Sequence, residues 1–273
     1  MTKVAVVKGK RSISTVEKAI ELAGGLKEFN DKPILIKLNF IAVKTYETGA
    51  TTDPIIVEAL IQSLQPINNR IFVVESDATF TNANKACEVT GMSLICKKYN
   101  IPFINLRYAK DKVKIKVPNS EALSEITLPK IVLDSYVISA AKMKTHVDTV
   151  VTLGLKNMFG LIPDKLKAKY HLRGIEKVVI DVNSVVKPAF TIIDGFIAME
   201  GKGPVDGKPV KMDLVIAGKD VVATDAVASK IMGFEPTSIY CIRKAMEKGI
   251  GTLEKIEVVG DSIENVARKF QPA

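Results

Sequence analysis

Residues 33–64 read PILIKLNFIAVKTYETGATTDPIIVEALIQSL, and two patterns within them decide the fold. Ile34 to Leu38 is an apolar run interrupted only by Lys37, the pattern of a strand buried on both faces. Asp53-Pro54 then supplies a capping carboxylate and a proline at the first helical position, and Ile55 to Leu64 is amphipathic at helical spacing. A strand covered on both sides and followed by a helix is the unit from which parallel sheets are built. The same alternation extends outward in both directions. Lys3–Val7 reads as a strand, and Ser14 with Glu17 has capping-box spacing for a helix that ends at Gly24-Gly25. Ile71–Val74 is a strand, Asn82–Tyr99 a helix and Phe103–Leu106 a strand. This order predicts an α/β fold: a mostly parallel sheet flanked by helices on both faces.

Further along, Lys112–Val117 alternates polar and apolar residues and pairs naturally with Glu125–Leu128, a small antiparallel excursion near residues 112–128. Ser135–Ala140 returns to the buried-strand type, whereas Lys142 to Gly174 shows no clean periodicity. A helix is expected at Ile175–Val186 and strands at Phe190–Ile193, Leu214–Ala217 and Ile256–Val259. Glu200–Pro209 reads as a loop, Val221–Met232 as a helix capped by Asp220, and Ile239–Lys248 as a further helix. With no internal repeat and no Pro-, Ser- or Gly-rich linker, residues 1–273 are expected to form a single α/β domain.

Composition narrows the function classes. Hydrophobic residues make up 47 % of the 273, enough for a sizeable core. No apolar run approaches the ~18 residues of a membrane span, and MTKVAVVKGK lacks the features of a signal peptide, so a soluble cytoplasmic protein is expected. Cys87, Cys96 and Cys241 have neither framework nor CxxC spacing, which argues against disulfides and against an iron–sulfur cluster of the chain's own. The absence of Trp and the abundance of Ile, Lys and Val resemble thermophile usage. Net charge is +9, and residues 142–177 alone carry eight Lys/Arg against three acids, together with both histidines, His146 and His171. That excess points to an anionic partner.

Several candidate groups fall at expected strand ends, where open α/β sheets bind ligands. Lys37 and Asn39 follow the buried run, and Thr51 lies in the loop GATTDP (49–54) that enters a helix N-terminus. Lys144 and His146 follow the strand ending near Ala140, and His146 could also move protons near neutral pH. Lys156 and Asn157 lie among Leu155, Met158 and Phe159, so their polar groups are expected to face a cavity. Lys165, Lys167, Lys169 and His171 read either as a solvated face or as phosphate contacts. Asp194 and Asp225, with His146, are candidate catalytic groups, and Asp194, Glu200 and Asp220 a candidate set for a weakly held divalent cation. Lys37, Asn39, Lys144, His146, Lys156 and Asn157 are expected to converge on one pocket, with Thr51 and His171 as further ligand contacts.

The blocks KLN (37–39), GATTDP (49–54), KMKTH (142–146), LKNMFG (155–160), His171, IDGFIAMEGKGP (193–204) and DVVATDAVASKIMG (220–233) together resemble family 362 of the domains of unknown function. They occur in that family's order and cover most of the chain. Members often carry four-iron ferredoxin-like modules, which implies a redox context for those members; this chain has no CxxCxxC run. Three functions stay open: binding or conversion of a small anionic metabolite, docking of a basic accessory protein to a separate ferredoxin, and non-specific nucleic-acid binding. No sequence-specific readout motif and no membrane anchor accompany them.

Overall fold

The computed structural model describes all 273 residues. Its strands are β1 (Thr2–Lys8), β2 (Ile34–Lys37), β3 (Ile71–Glu75), β4 (Phe103–Asn105), β5 (Lys112–Lys116), β6 (Glu125–Pro129), β7 (Tyr136–His146), β8 (Val150–Thr152), β9 (Phe190–Glu200), β10 (Lys208–Gly218) and β11 (Ile256–Gly260). Nine of them form one sheet in the order β11-β1-β10-β9-β7-β2-β3-β4, with β8 attached to the end of β7. Only β8 and β10 run against the rest. β5 and β6 form the separate antiparallel ribbon expected near residues 112–128. The fold is α/β with a mostly parallel sheet and helices on both faces. No helix is long and apolar enough to cross a membrane.

The continuous apolar runs are explained by two cores, one on each face. Within β1, Val4 and Val6 enter one core while Ala5 and Val7 enter the other; within β2, Leu35 opposes Ile34 and Ile36. Both faces of these strands are therefore buried, and the period-two pattern of a half-exposed strand disappears. One face is covered by the helices Ile13–Leu22 and Pro54–Leu64, the other by Ile175–Val185, Val221–Ile231 and Tyr240–Glu247.

Local differences from the sequence reading have local causes. The first helix is capped by Ser12, whose hydroxyl accepts from the Thr15 N–H, and not by Ser14. The helix expected over 82–99 is two helices, Ala83–Val89 and Met92–Lys98, because Thr90 caps the first and Gly91 adopts φ +78°. The largest difference concerns β7, β9 and β10, which run eleven residues each, well past the expected ends. Lys142, Lys144 and His146, expected after a strand ending near Ala140, and Asp194, expected at a strand end, lie inside longer strands and are buried. Likewise the segment read as a loop, Glu200–Pro209, contributes the end of β9 and the start of β10.

At Lys142 and Asp194 charge can lie there because it is paired. Lys142 and Asp194 are opposite each other on parallel β7 and β9, both fully buried, with Nζ 2.7 Å from Oδ2. Asp194 Oδ2 also accepts the Asp53 N–H at 2.8 Å, and its Oδ1 accepts that of Phe196 at 3.1 Å. Asp53 caps the Pro54–Leu64 helix and receives a two-point contact from Arg11 at 2.6 and 2.7 Å. Burial raises the Asp53 carboxyl's pKa despite the arginine. Removing one member leaves an uncompensated charge in the sheet. Asp194→Ala is expected to cost about 3–5 kcal/mol in urea unfolding, and the double change Lys142→Met with Asp194→Leu to recover most of that loss.

Candidate functional site

A cavity of about 690 Å³ opens at the C-terminal ends of β2, β3 and β7. Lys37 is the last residue of β2, Glu75 the last of β3, and Lys144 and His146 lie at the end of β7, so the common strand direction alone brings them to one edge. The Gly154–Met158 helix delivers Lys156 and Asn157 from the other side.

Lys37 is buried, and its ammonium lies 2.8 Å from Glu75 Oε1 and donates to the Leu38 carbonyl at 2.6 Å. Burial lowers its pKa, and Glu75 opposes that shift. Glu75 is itself fixed by the N–H groups of Ser76 and Phe40, at 2.8 and 2.9 Å. A β-carbon at Gly160 would collide with both the Lys37 ammonium and the Glu75 carboxylate, so the close approach of this loop requires glycine.

Asn157 ties three elements together. Its amide donates to the Lys37 carbonyl at 3.2 Å and to Ser139 Oγ at 3.1 Å, and its Oδ1 accepts from Asn39 Nδ2 at 3.0 Å. A carbonyl can only accept, so the Lys37 contact fixes the orientation of the Asn157 amide, and that in turn fixes Asn39. Asn39 Oδ1 is left buried without a hydrogen-bond partner, as is Thr152 Oγ1, and both residues line the cavity.

Lys144 is fully buried and donates only to the Ala50 carbonyl at 2.6 Å; no carboxylate pairs with it. Burial, reinforced by Lys142 and Lys156, holds its pKa well below the ordinary lysine value. Burial, with Lys156 and Lys144 adding to it, lowers His146 to about 2, so its imidazole is neutral. Its Nδ1 accepts the Asp148 N–H at 3.0 Å, which places the ring proton on Nε2. Lys156 is lowered to about 8 and Lys167 to about 7, chiefly by burial. Both ammonium groups lie over the Phe159 ring, at 4.8 and 5.6 Å from its centroid, and Lys167 also donates to Ser76 Oγ at 2.6 Å.

The structure thus brings Lys37, Asn39, Lys144, His146, Lys156, Asn157 and His171 to one cavity. His171 stands at its exposed edge, with Nδ1 3.0 Å from Asp148 Oδ2. Of the alternating lysines only Lys167 turns inward; Lys165 and Lys169 are exposed. Sequence reasoning passed over Glu75, although its position at the end of a buried strand repeats that of Lys37.

The remaining candidates lie elsewhere. Thr51 is buried outside the cavity and donates to the Lys44 carbonyl at 3.1 Å. Asp194 is inside β9 and not at a strand end; its oxygens are engaged by Lys142 and by two backbone N–H groups. Glu200 pairs with Arg268 at 3.0 Å, and Asp220 caps the Val221–Ile231 helix while accepting the Thr252 N–H at 3.1 Å. Asp194, Glu200 and Asp220 are therefore engaged separately, and no group of three or more His, Cys, Asp or Glu side chains is placed to hold a metal ion.

Asp225 does not face the cavity either. Its two oxygens accept the N–H groups of Gly154 and Leu155, at 2.7 and 2.9 Å, at the N-terminus of the helix that carries Lys156 and Asn157. Burial raises its carboxyl to about 7 against those two contacts. Its role is to position that helix. Asp225→Ala is expected to lower stability by roughly 1–3 kcal/mol in denaturant titration, because two buried donors lose their acceptor.

A thylakoid-associated protein of Synechocystis sp. is similar to this chain, with 29 % identity over 240 residues covering 83 % of the chain and 72 % of the relative. The family model described as a domain of unknown function, DUF362, matches residues 34–230, a span that begins at β2 and takes in every cavity residue named above. The chain belongs to that family, DUF362.

Proposed function

We propose that this protein binds a small anionic metabolite in the cavity at the sheet's C-terminal edge, and that the groups lining it can also transfer protons to or from that ligand. One observation carries the reading. Lys37, Lys144, Lys156 and Lys167 surround a single cavity, and of these only Lys37 has a carboxylate partner. An anion among the other three would gain charge-assisted hydrogen bonds, each worth about 1.5–3 kcal/mol. The unpartnered Asn39 Oδ1 and Thr152 Oγ1 would accept from a hydroxyl or other donor on the same ligand. The neutral His146 offers an Nε2–H donor that adds no charge, and Lys167, near 7, could give or take a proton at neutral pH. These cations line a concavity and are not spread over a convex face. That supports a small ligand over docking to an acidic protein or to nucleic acid.

Calorimetric titration with inorganic phosphate and with small carboxylates tests this. Binding to the wild type should weaken about tenfold or more in Lys156→Ala, with the unfolding transition retained, because the change removes a contact and not core volume. Wild-type affinity in both Lys144→Met and Lys156→Ala would refute the reading.

The depressed lysines also set a pH dependence. A bound anion favours the charged form, so binding must take up protons where the free lysines are partly neutral. Affinity should fall as pH rises through the values of Lys167 and Lys156, about 7 and about 8. At pH 7 the uptake attributable to Lys167 should be roughly half a proton, read from titrations in buffers of different ionisation enthalpy. Without ligand the sign reverses. A lysine whose folded pKa lies below its unfolded value adds stability as pH rises from the folded value toward the unfolded one, so the free protein should gain stability from these lysines between about 7 and 10.

A further inference from the structure

We infer that the ligand is amphipathic, an anion attached to an apolar body that extends from the lysine cluster to the cavity mouth. This rests on the anion-binding reading above and adds to it the other half of the molecule.

The cavity is too large and too asymmetric for a bare oxyanion. Its volume of about 690 Å³ lies in the range of sites that enclose whole organic ligands. The cations gather where β2, β3 and β7 end, whereas the loop after β2 contributes Phe40, Ile41, Ala42 and Val43, and Pro204 and Val205 add further apolar surface. Two hydrophobic side chains lining the cavity, Phe80 and Val147, are 98 % and 64 % exposed. Isolated exposed hydrophobic residues are ordinary on any surface. Here, however, an aromatic ring and an isopropyl group stand at the mouth of the same cavity.

The turn that presents Phe80 is built and not slack. Ala78 and Thr81 exchange backbone hydrogen bonds at 3.0 and 3.2 Å across it, and the Thr81 hydroxyl donates to the Ile41 carbonyl. Below the turn, Asp77 accepts the Ala83 N–H at 2.9 Å and pairs with Arg107 at 2.7 Å. The residues 204–206 are likewise fastened, since Lys44 donates to the Val205 carbonyl at 3.0 Å and to Asp206 at 3.2 Å. An aromatic side chain carried on a held turn, with no protein neighbour over it, can cover an apolar group that enters from outside, and its burial would then contribute to affinity.

The test is calorimetric titration of the whole protein with two homologous series, inorganic phosphate to hexyl and phenyl phosphate, and acetate to hexanoate and benzoate. Hexanol serves as the uncharged control. In the series whose head group binds, affinity should climb by up to about fourfold per added methylene, the equivalent of ~0.8 kcal/mol, until the chain passes the mouth. Hexanol should not bind. Phe80→Ala, a change at an exposed position, should narrow the affinity ratio between the hexyl or phenyl compound and the bare anion by about tenfold. If the bare anion binds and chain length changes nothing, the amphipathic ligand is overturned and the anion site stands. If hexanol binds as well as hexyl phosphate, or if no anion of either series binds, both fall.

Discussion

Three ammonium groups, those of Lys37, Lys142 and Lys144, are buried within the central strands β2 and β7, and the structure around them is arranged by the need to compensate their charge. An unpaired buried ion is among the most unfavourable features a fold can carry. Lys142 is met by Asp194 from the neighbouring strand, and that carboxylate reaches on to the backbone of Asp53, so the ion pair also fixes the start of the Pro54–Leu64 helix. Lys37 is met by Glu75, and Glu75 in turn fixes the turn at Phe40 and Ser76. Lys144 receives only a carbonyl. A carboxylate compensates Lys142 and Lys37 and only a carbonyl meets Lys144; of the three, Lys37 and Lys144 line the cavity.

This gradation separates scaffold from site. Groups whose hydrogen bonds are all satisfied by protein hold geometry: Asp194, Asp53 and the Asn157 amide belong here, and so does Asp225, which orients the helix carrying Lys156. Among groups left with unused capacity, Lys144, Lys156, Asn39 Oδ1 and Thr152 Oγ1 line the cavity, whereas Ser135, Asn183 and Thr191 lie outside it. Precision at the second set depends on rigidity in the first. Asp225 thus bears on the site from outside it, since a shift of the Gly154–Met158 helix would move Lys156 and release the Asn157 amide that orients Asn39.

Much of this was legible in the sequence, for a physical reason. Apolar runs such as Ile34–Leu38 and Ile71–Val74 record burial on both faces, which fixes the sheet as parallel and so places Lys37 and Lys144 on one edge. Partners were not legible. Lys142 and Asp194 are 52 residues apart, and nothing in their separate contexts says that each neutralises the other, so the strands carrying them are expected to end early, with Asp194 at a strand end as a functional carboxylate. The same blindness made Asp194, Glu200 and Asp220 resemble a cation site, whereas each carboxylate already has its own partner. Lys167 was ambiguous because an alternating lysine run looks identical whether or not one member turns inward.

The incomplete compensation at the cavity has an energetic reading that joins stability to function. Burying these lysines without counter-ions is unfavourable for the free protein, and part of that cost is relieved by proton loss, which is why burial depresses Lys156 to about 8 and Lys167 to about 7. A ligand supplying negative charge would relieve the remainder and bind the folded state alone, so its binding energy would add directly to stability. The buried carboxylate of Glu75 limits how far this goes. It is paired with Lys37, which would leave the acceptance of an incoming anion to Lys144, Lys156 and Lys167. A second buried carboxylate beside Lys144 would compensate that charge and remove the preference for anions proposed for the cavity. The charge left uncompensated at Lys144 is therefore one source of the site's proposed affinity.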